Sequence, residues 1–277
     1  MSKSKRQETA TSRQVQTHFD LLADYYDDKS ANRGNYLRAI DQIIVNHVLS
    51  TGALHPRVLD VGTGTGTRLE GLKQQLPHIK AYGCDISDSM LAIARTKEID
   101  DIRWGDMSDL PYDDGSFDHL LSLFNVLGYG SSKAKRGQAV AEFYRVLRPG
   151  GTVIVDVLNR WHLGEGGQFS KSRRSVAKEL AMSAFNLSLE WGDVNFRPDE
   201  NSARQGFFHS FSYLEVINLF EGAGFKMAVH QAVGYDTGQL QDTRKEGNFL
   251  FIFEKPLPPD PHNPASTTIK HNPIVQF

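Results

Sequence analysis

The chain has 277 residues, of which 39% are hydrophobic and 23% charged, with a formal net charge of −2. That length suits one large α/β domain with insertions or two small domains, the balance is that of an ordinary soluble protein, and no apolar run approaches the roughly 20 residues of a membrane span. The one cysteine, Cys84, excludes an intramolecular disulfide and makes a reducing, cytoplasmic setting the expectation, while the small negative charge gives no overall attraction to nucleic acid.

Residues 1–14 are polar and charged. With no apolar core behind the charges they are not a secretory signal, and disorder is expected. From Val15 to Leu49 the pattern turns helical: Val15, Phe19, Leu22 and Ala23, then Ile40, Ile43, Ile44 and Val48, recur at helical spacing. The polar stretch YYDDKSANRGNY interrupts them. A regular alternation follows. Residues 57–61 (RVLDV) read as a strand, Leu69, Leu72 and Leu76 mark a helix, and 79–85 are a second strand. Ser87 is placed to N-cap a helix carrying Met90, Leu91 and Ile93. Strands at 101–104, 117–124 and 152–158 come next, the last two separated by a helix over 134–148 that stops at Pro149-Gly150-Gly151. Strands alternating with helices predict a parallel sheet covered on both faces. The stretch 159–206 breaks the rhythm, with a helical piece around 176–189 and a basic cluster of Lys171, Arg173 and Arg174 that reads as solvated. Ser212 and Glu215 then form a capping box ahead of a Tyr213, Val216, Ile217, Phe220 stripe. Strands at 226–234 and 248–254 close the pattern. The expected division is a disordered 1–14, a domain over 15–255 with lid helices at 15–50 and an insertion at 159–206, and a proline-rich tail over 256–277.

The loop after the first strand carries the chemistry. Gly62, Gly64 and Gly66 alternate between a strand and a helix, where glycine permits a sharp turn and close approach to a ligand. The helix start behind them offers free N–H groups and a positive dipole end. A tight strand-to-helix turn would explain the glycines alone. Asp85, 23 residues beyond Gly62 at the end of the next strand, adds a carboxylate that can accept from both ribose hydroxyls. The dinucleotide fingerprint is G-x-G-x-x-G. Here the spacing is G-x-G-x-G, and Asp60 stands two residues before it. An acid there repels phosphate and suits an amino group or a sulfonium.

VLDVGTGTG resembles the V-L-D-x-G-x-G-x-G motif of the class I methyltransferases, and the resemblance runs from about Phe19 to Glu254. GCDISDSML is similar to the family's second motif, which implies Asp85 on the ribose, Ile86 on the adenine and Met90 close by. GDMSDLPYDDGSFD resembles the third, implying Gly105, an adenine-binding Asp106 and Met107 packed alongside; Asp118 in the next strand reads as structural. FDHLLSLFNVLGY resembles the fourth strand and its exit, with Phe124 and Asn125 facing the cofactor. AEFYRVLRPGGTVIV resembles the entry to the fifth strand. QVQTHFDLLADYYDD resembles an N-terminal helix of the small-molecule branch that folds over the cofactor. It would place Tyr26, and more weakly Tyr36, beside the methionine moiety, where an aromatic face favours a sulfonium. The resemblance thus implies a seven-stranded, mostly parallel sheet with helices on both faces and a C-terminal antiparallel hairpin. It also implies S-adenosyl-L-methionine as cofactor, held by the residues above with Asp60, Gly62, Thr63, Gly64 and Gly66, and no metal.

The family has no universal catalytic residue, because the sulfonium is already an activated methyl donor. Tyr129, after the fourth strand, and His209, in FFHSFS, are the catalytic candidates, with Trp161 and His162 as candidate pocket-liners. NVLGY departs from the N-P-P-Y type of sequence at this strand end. The insertion holds Phe169, Phe185, Trp191 and Phe196, enough aromatic area for a partly apolar small molecule. The expectation is methyl transfer to an N or O atom of a small-molecule acceptor, with nucleic acid and membrane not expected as partners. A tRNA-modifying methyltransferase (Ser131–Gly151 loosely resembles that group), a non-catalytic cofactor-binding regulator and a nicotinamide dehydrogenase stay open, as does the oligomeric state.

Overall fold

The computed structural model describes residues 3–31, 34–162, 190–196, 206–242, 244 and 246–259. The β-branched runs assemble into one eight-stranded sheet. Its order is β3 (Asp101–Trp104), β2 (Lys80–Asp85), β1 (Arg57–Val61), β4 (Phe117–Ser122), β5 (Leu147–Val157), β10 (Asn248–Glu254), β8 (Lys226–Val233), β9 (Leu240–Gln241). The first five strands are parallel. β10 runs antiparallel to both its neighbours, β5 and β8. The sequence predicts seven strands. The eighth, β9, pairs with β8 through only two residues and is too short to leave a periodic signal.

Alternation along the central strands builds two cores. Val153, Val155 and Val157 of β5, with Phe249, Phe251 and Phe253 of β10, enter one. Ile154, Leu250 and Ile252 enter the other. Helices α6 (Lys133–Val146) and α7 (Tyr213–Gly222) cover the first face, and the rings of Phe220 and Phe253 stack there at 4.3 Å. Helices α3 (Gly34–Ser50) and α4 (Thr67–Gln75) cover the second. Covering both faces explains why the strands read as continuous apolar runs.

The caps behave as predicted. Ser87 accepts from Met90 N at the start of α5 (Asp88–Ala94), and Ser212 with Glu215 forms a complete capping box on α7. Three expectations need correction. Residues 3–22 are helical (α1, Lys3–Leu22) where disorder is expected through residue 14. That segment lacks Gly and Pro and carries several Lys, Arg and Gln, all strong helix formers. The polar interruption contains a short helix, α2 (Tyr26–Ala31). The insertion contributes a two-stranded antiparallel sheet, β6 (Asp193–Phe196) with β7 (Gly206–His209), which the sequence reading lacks. The helical piece around 176–189, the cluster at 171–174, Phe169, Phe185 and the tail from 260 lie outside the described residues. Among those described, no helix is long and apolar enough to cross a membrane.

Candidate active site

The glycine loop leaves the C-terminal end of β1, in the middle of the parallel strands, where ligands of open α/β sheets bind. Gly62, Gly64 and Gly66 all have positive φ, at 75°, 57° and 74°. A β-carbon on Gly62 would meet Val126 Cγ2 at 2.4 Å, so the loop packs directly on the turn beyond β4. Gly62 N and Thr63 N both donate to Cys84 O, at 2.8 and 3.0 Å. Asp85 is buried and accepts from Gly64 N (2.8 Å) and Ser87 N (2.9 Å), one on each oxygen. It therefore fixes the loop, and each carboxylate oxygen keeps further lone pairs for a ligand hydroxyl.

Two acids in this wall are short of counter-charge. Burial pushes Asp60 up to about 7, against the pull of the Arg68 guanidinium. Burial also raises Asp85, despite the N–H groups of Ser87, Gly64 and Ile86 that favour its ionised form. Arg68 pairs with neither: its Nε lies 3.1 Å from Asp41, and its guanidinium sits 4.2 Å over the Phe124 ring. A cation at the loop would favour both carboxylates in their charged form. Cys84, between them, is buried and held far above the usual thiol range by that burial, so it is no nucleophile.

The N-terminal segment closes over this loop. Asp20 accepts from Ser87 Oγ (2.6 Å) and Ser89 N (3.2 Å) at the start of α5. Asp27 accepts from the hydroxyls of Thr65 and Thr67, both at 2.7 Å, at the start of α4. Tyr26 follows: a β-carbon on Gly64 would stand 3.9 Å from both Tyr26 Cε1 and Met90 Sδ. Sequence reasoning missed Asp20 and Asp27, because acids on a solvated helix carry no periodic signal. Tyr36 is a correction. It is buried in the second core and donates to Asp156 Oδ2 at 2.6 Å, with its hydroxyl pushed well up by burial.

On the β2–β3 side, Ile86 O accepts from Trp104 Nε1 at 2.9 Å, and Gly105 N donates to Asp85 O at 3.0 Å. Asp106 Oδ1 accepts from Ser108 N and Oγ, and its Oδ2 lies 3.3 Å from Lys135 Nζ. Met107 is half-buried and approaches Gly130. On the β4 side, Phe124 and Asn125 have φ of 60° and 57°, the positive-φ non-glycine residues among those described. Such backbone strain gathers at functional sites. Asn125 uses its amide on backbone, donating to His209 O and accepting from Leu158 N, both at 3.1 Å.

Tyr129 ends the 3-10 turn Val126–Tyr129 and packs edge-on against Phe19 at 5.1 Å. With Gln14, Val15, His18, Gly206 and Phe207 it lines a small cavity between α1 and β7. His209 is fully buried. Its Nδ1 lies 2.6 Å from Asp193 Oδ1 and its Nε2 2.7 Å from Glu215 Oε1, which leaves no ring nitrogen for an acceptor. Trp161 packs edge-on against Trp191 at 5.1 Å, and His162 Nδ1 accepts from Gly247 N. Asp118 is structural, as read from sequence: it accepts from Arg57 N and pairs with Arg148.

The residues fit the implied cofactor. A positive-φ glycine loop and two undercompensated buried acids, Asp60 and, at the end of β2, Asp85, form a cradle for a nucleoside joined to a cation. Residues 58–151 match the family model for a methyltransferase domain. A demethylmenaquinone methyltransferase of Chlorobaculum tepidum is 33% identical over 154 residues, covering 53% of this chain and 61% of its own. A dTDP-3-amino-3,4,6-trideoxy-alpha-D-glucopyranose N,N-dimethyltransferase of Streptomyces venezuelae is 34% identical over 135 residues, covering 48% and 56%. The chain thus spans about three fifths of the length of these curated relatives. The solved structure of Burkholderia thailandensis 1,6-didemethyltoxoflavin-N1-methyltransferase superposes with a TM-score of 0.60 at 15% identity, covering 90% of each chain. Motifs, strand order and comparisons agree on the fold: residues 58–151 match a methyltransferase-domain model, within a sheet of the class I, Rossmann-like architecture.

Proposed function

We propose that this protein is an S-adenosylmethionine-dependent methyltransferase acting on an N or O atom of a small-molecule acceptor. The observation that carries the reading is the pair of buried acids, Asp60 and Asp85, around a loop of three positive-φ glycines. Asp85 would hold the ribose hydroxyls, Asp106 the adenine amino group, and Ile86, Met90 and Met107 the adenine faces. Asp60 would balance the cationic end, with Tyr26 over it. When bound, the cofactor supplies the activated methyl group. The chain's own task is to hold the acceptor in line and to keep water out. Tyr129, at the mouth between α1 and β7, is the residue we place against the acceptor; His209 is better read as support. The acceptor class draws on the printed names of relatives that act on a quinone precursor and a nucleotide-linked amino sugar.

Calorimetry with S-adenosylmethionine, S-adenosylhomocysteine and NAD tests the cofactor. Binding of NAD alone would overturn the reading. Incubation with methyl-labelled cofactor and a metabolite extract tests the acceptor. Label found only in RNA or protein refutes the small-molecule choice, and tight binding with no transfer to any acceptor favours a regulatory protein.

A further inference from the structure

Behind β7 lies a buried cluster of charges that the proposed reaction does not use. His209 sits between Asp193 of β6 and Glu215 of α7, at 2.6 and 2.7 Å from its two ring nitrogens. Arg160, just after β5, donates from Nη2 to Ser210 O (2.8 Å) and Glu215 Oε2 (2.6 Å), and from Nε to Ser210 O (3.1 Å). Nη2 also stands 3.2 Å from His209 Nε2, farther than Glu215 Oε1 at 2.7 Å. Arg136 of α6 pairs with Glu190 at the foot of the β6–β7 hairpin and donates to Gly130 O. The side chains of Arg136, Arg160, His209 and Asp193 are all at most 6% exposed.

A neutral imidazole has one N–H and can donate to one carboxylate only. With an ionised carboxylate at each nitrogen, both contacts are hydrogen bonds only when both nitrogens carry a proton. Charge balance says the same. Among the described residues the cluster holds two buried guanidinium groups against one buried carboxylate, Asp193, and two partly exposed ones, Glu190 and Glu215, and an imidazolium brings the five charges to balance. The clasp also reaches the acceptor side. His209 O accepts from the Asn125 side chain, and a β-carbon on Gly128 would collide with that carbonyl at 2.5 Å. The turn that ends in Tyr129 is thus built against His209.

We infer that His209 is a positioning residue: an imidazolium clasped between Asp193 and Glu215 whose carbonyl fixes Asn125 and the 126–129 turn beside the acceptor mouth. Burial would raise Glu215, but the hydrogen bond and charge of His209, with the charge of Arg160, carry it below the usual carboxylate range, which fits a cation at that spot. The word positioning rests on the reading of Tyr129 given above; the protonation state does not.

The test is nuclear magnetic resonance of the full chain labelled with nitrogen-15, compared with His209→Gln to assign the ring. At about pH 7, both His209 nitrogens are expected to carry a proton. The Asn125 side-chain amide is expected to shift in both His209→Gln and Asp193→Asn, and Asp193→Asn is expected to move the Nδ1 proton signal. A bare ring nitrogen at about pH 7, or an Asn125 amide that neither substitution moves, overturns the inference. If His209→Gln does not fold, the wild-type and Asp193→Asn spectra still decide it. Neither readout needs cofactor or acceptor, so failure of the methyltransferase reading would register separately, as absent S-adenosylhomocysteine binding.

Discussion

Asp60→Asn is expected to stabilise the protein and weaken cofactor binding at the same time. Burial holds the wild-type carboxyl at about 7 instead of 3.8. A folded-state value raised above the unfolded one means that stability is complete below the unfolded value and is lost as pH climbs through the folded one. The displacement is about three units, and at about 1.4 kcal/mol per unit its ceiling is about 4 kcal/mol. Asparagine has the same shape and no proton to lose. The variant should therefore melt several degrees higher than wild type at about pH 8, and match it at about pH 4. Binding moves the other way. A ligand cation about 5 Å from a charged Asp60, at an effective dielectric constant of about 20, gains about 3 kcal/mol. Removing that attraction should weaken S-adenosylmethionine ten- to a hundredfold by calorimetry, and S-adenosylhomocysteine, which lacks the sulfonium, by less. Near pH 7 wild-type binding should also expel a fraction of a proton, seen as a binding enthalpy that differs between phosphate and Tris buffers. Unchanged melting at about pH 8, or unchanged S-adenosylmethionine affinity, refutes the assignment of Asp60 as a strained counter-charge.

Other consequences are as direct. His47 and His119 share the Thr152 hydroxyl at 2.9 and 2.8 Å, and burial lowers both to about 4. Their stability contribution is whole above about 6.5 and lost as pH falls toward 4; the melting temperature should drop across that window, and less steeply in His119→Gln. Gly62→Ala sets a β-carbon 2.4 Å from Val126 at positive φ, so S-adenosylhomocysteine binding should be lost, with partial recovery in Gly62→Ala/Val126→Ala. Asp20→Ala/Asp27→Ala cuts four hydrogen bonds between the N-terminal segment and the starts of α4 and α5. At roughly 1 kcal/mol each, shared between opening and unfolding, S-adenosylhomocysteine should dissociate about tenfold faster in stopped-flow, with little change in the association rate. Cys84 should resist thiol reagents in the native state and react once the chain is unfolded.

Legibility followed the range of the interactions. The parallel strands, the capping residues Ser87 and Ser212, and the glycine loop with Asp60 and Asp85 are written in local patterns, a period of two, an N-cap or a spacing along the chain, and they stand where the sequence places them. The errors came where distant segments decide. Tyr36 reads like Tyr26 in sequence, but its partner, Asp156, is 120 residues away, and only the fold reveals that this hydroxyl is already taken. His209 sits in an aromatic run that suggests a pocket wall. Its carboxylates come from β6 and α7, and the hairpin carrying Asp193 falls in a stretch without periodicity. Residues 3–14 show polarity misleading by itself: a helix needs propensity as well as an apolar stripe, and here propensity was the better guide.

The place of β10 governs the order in which the protein can be made. Everything at the glycine loop is encoded before residue 160, yet the free edge of β5 is closed only by residues 248–254. While a ribosome is still synthesising the second half, the nascent chain carries an apolar strand with one side unpaired, the kind of edge that recruits other chains. The sheet is completed from its middle by its last described strand, so shortening the chain from that end should yield aggregation and not a smaller, less stable protein.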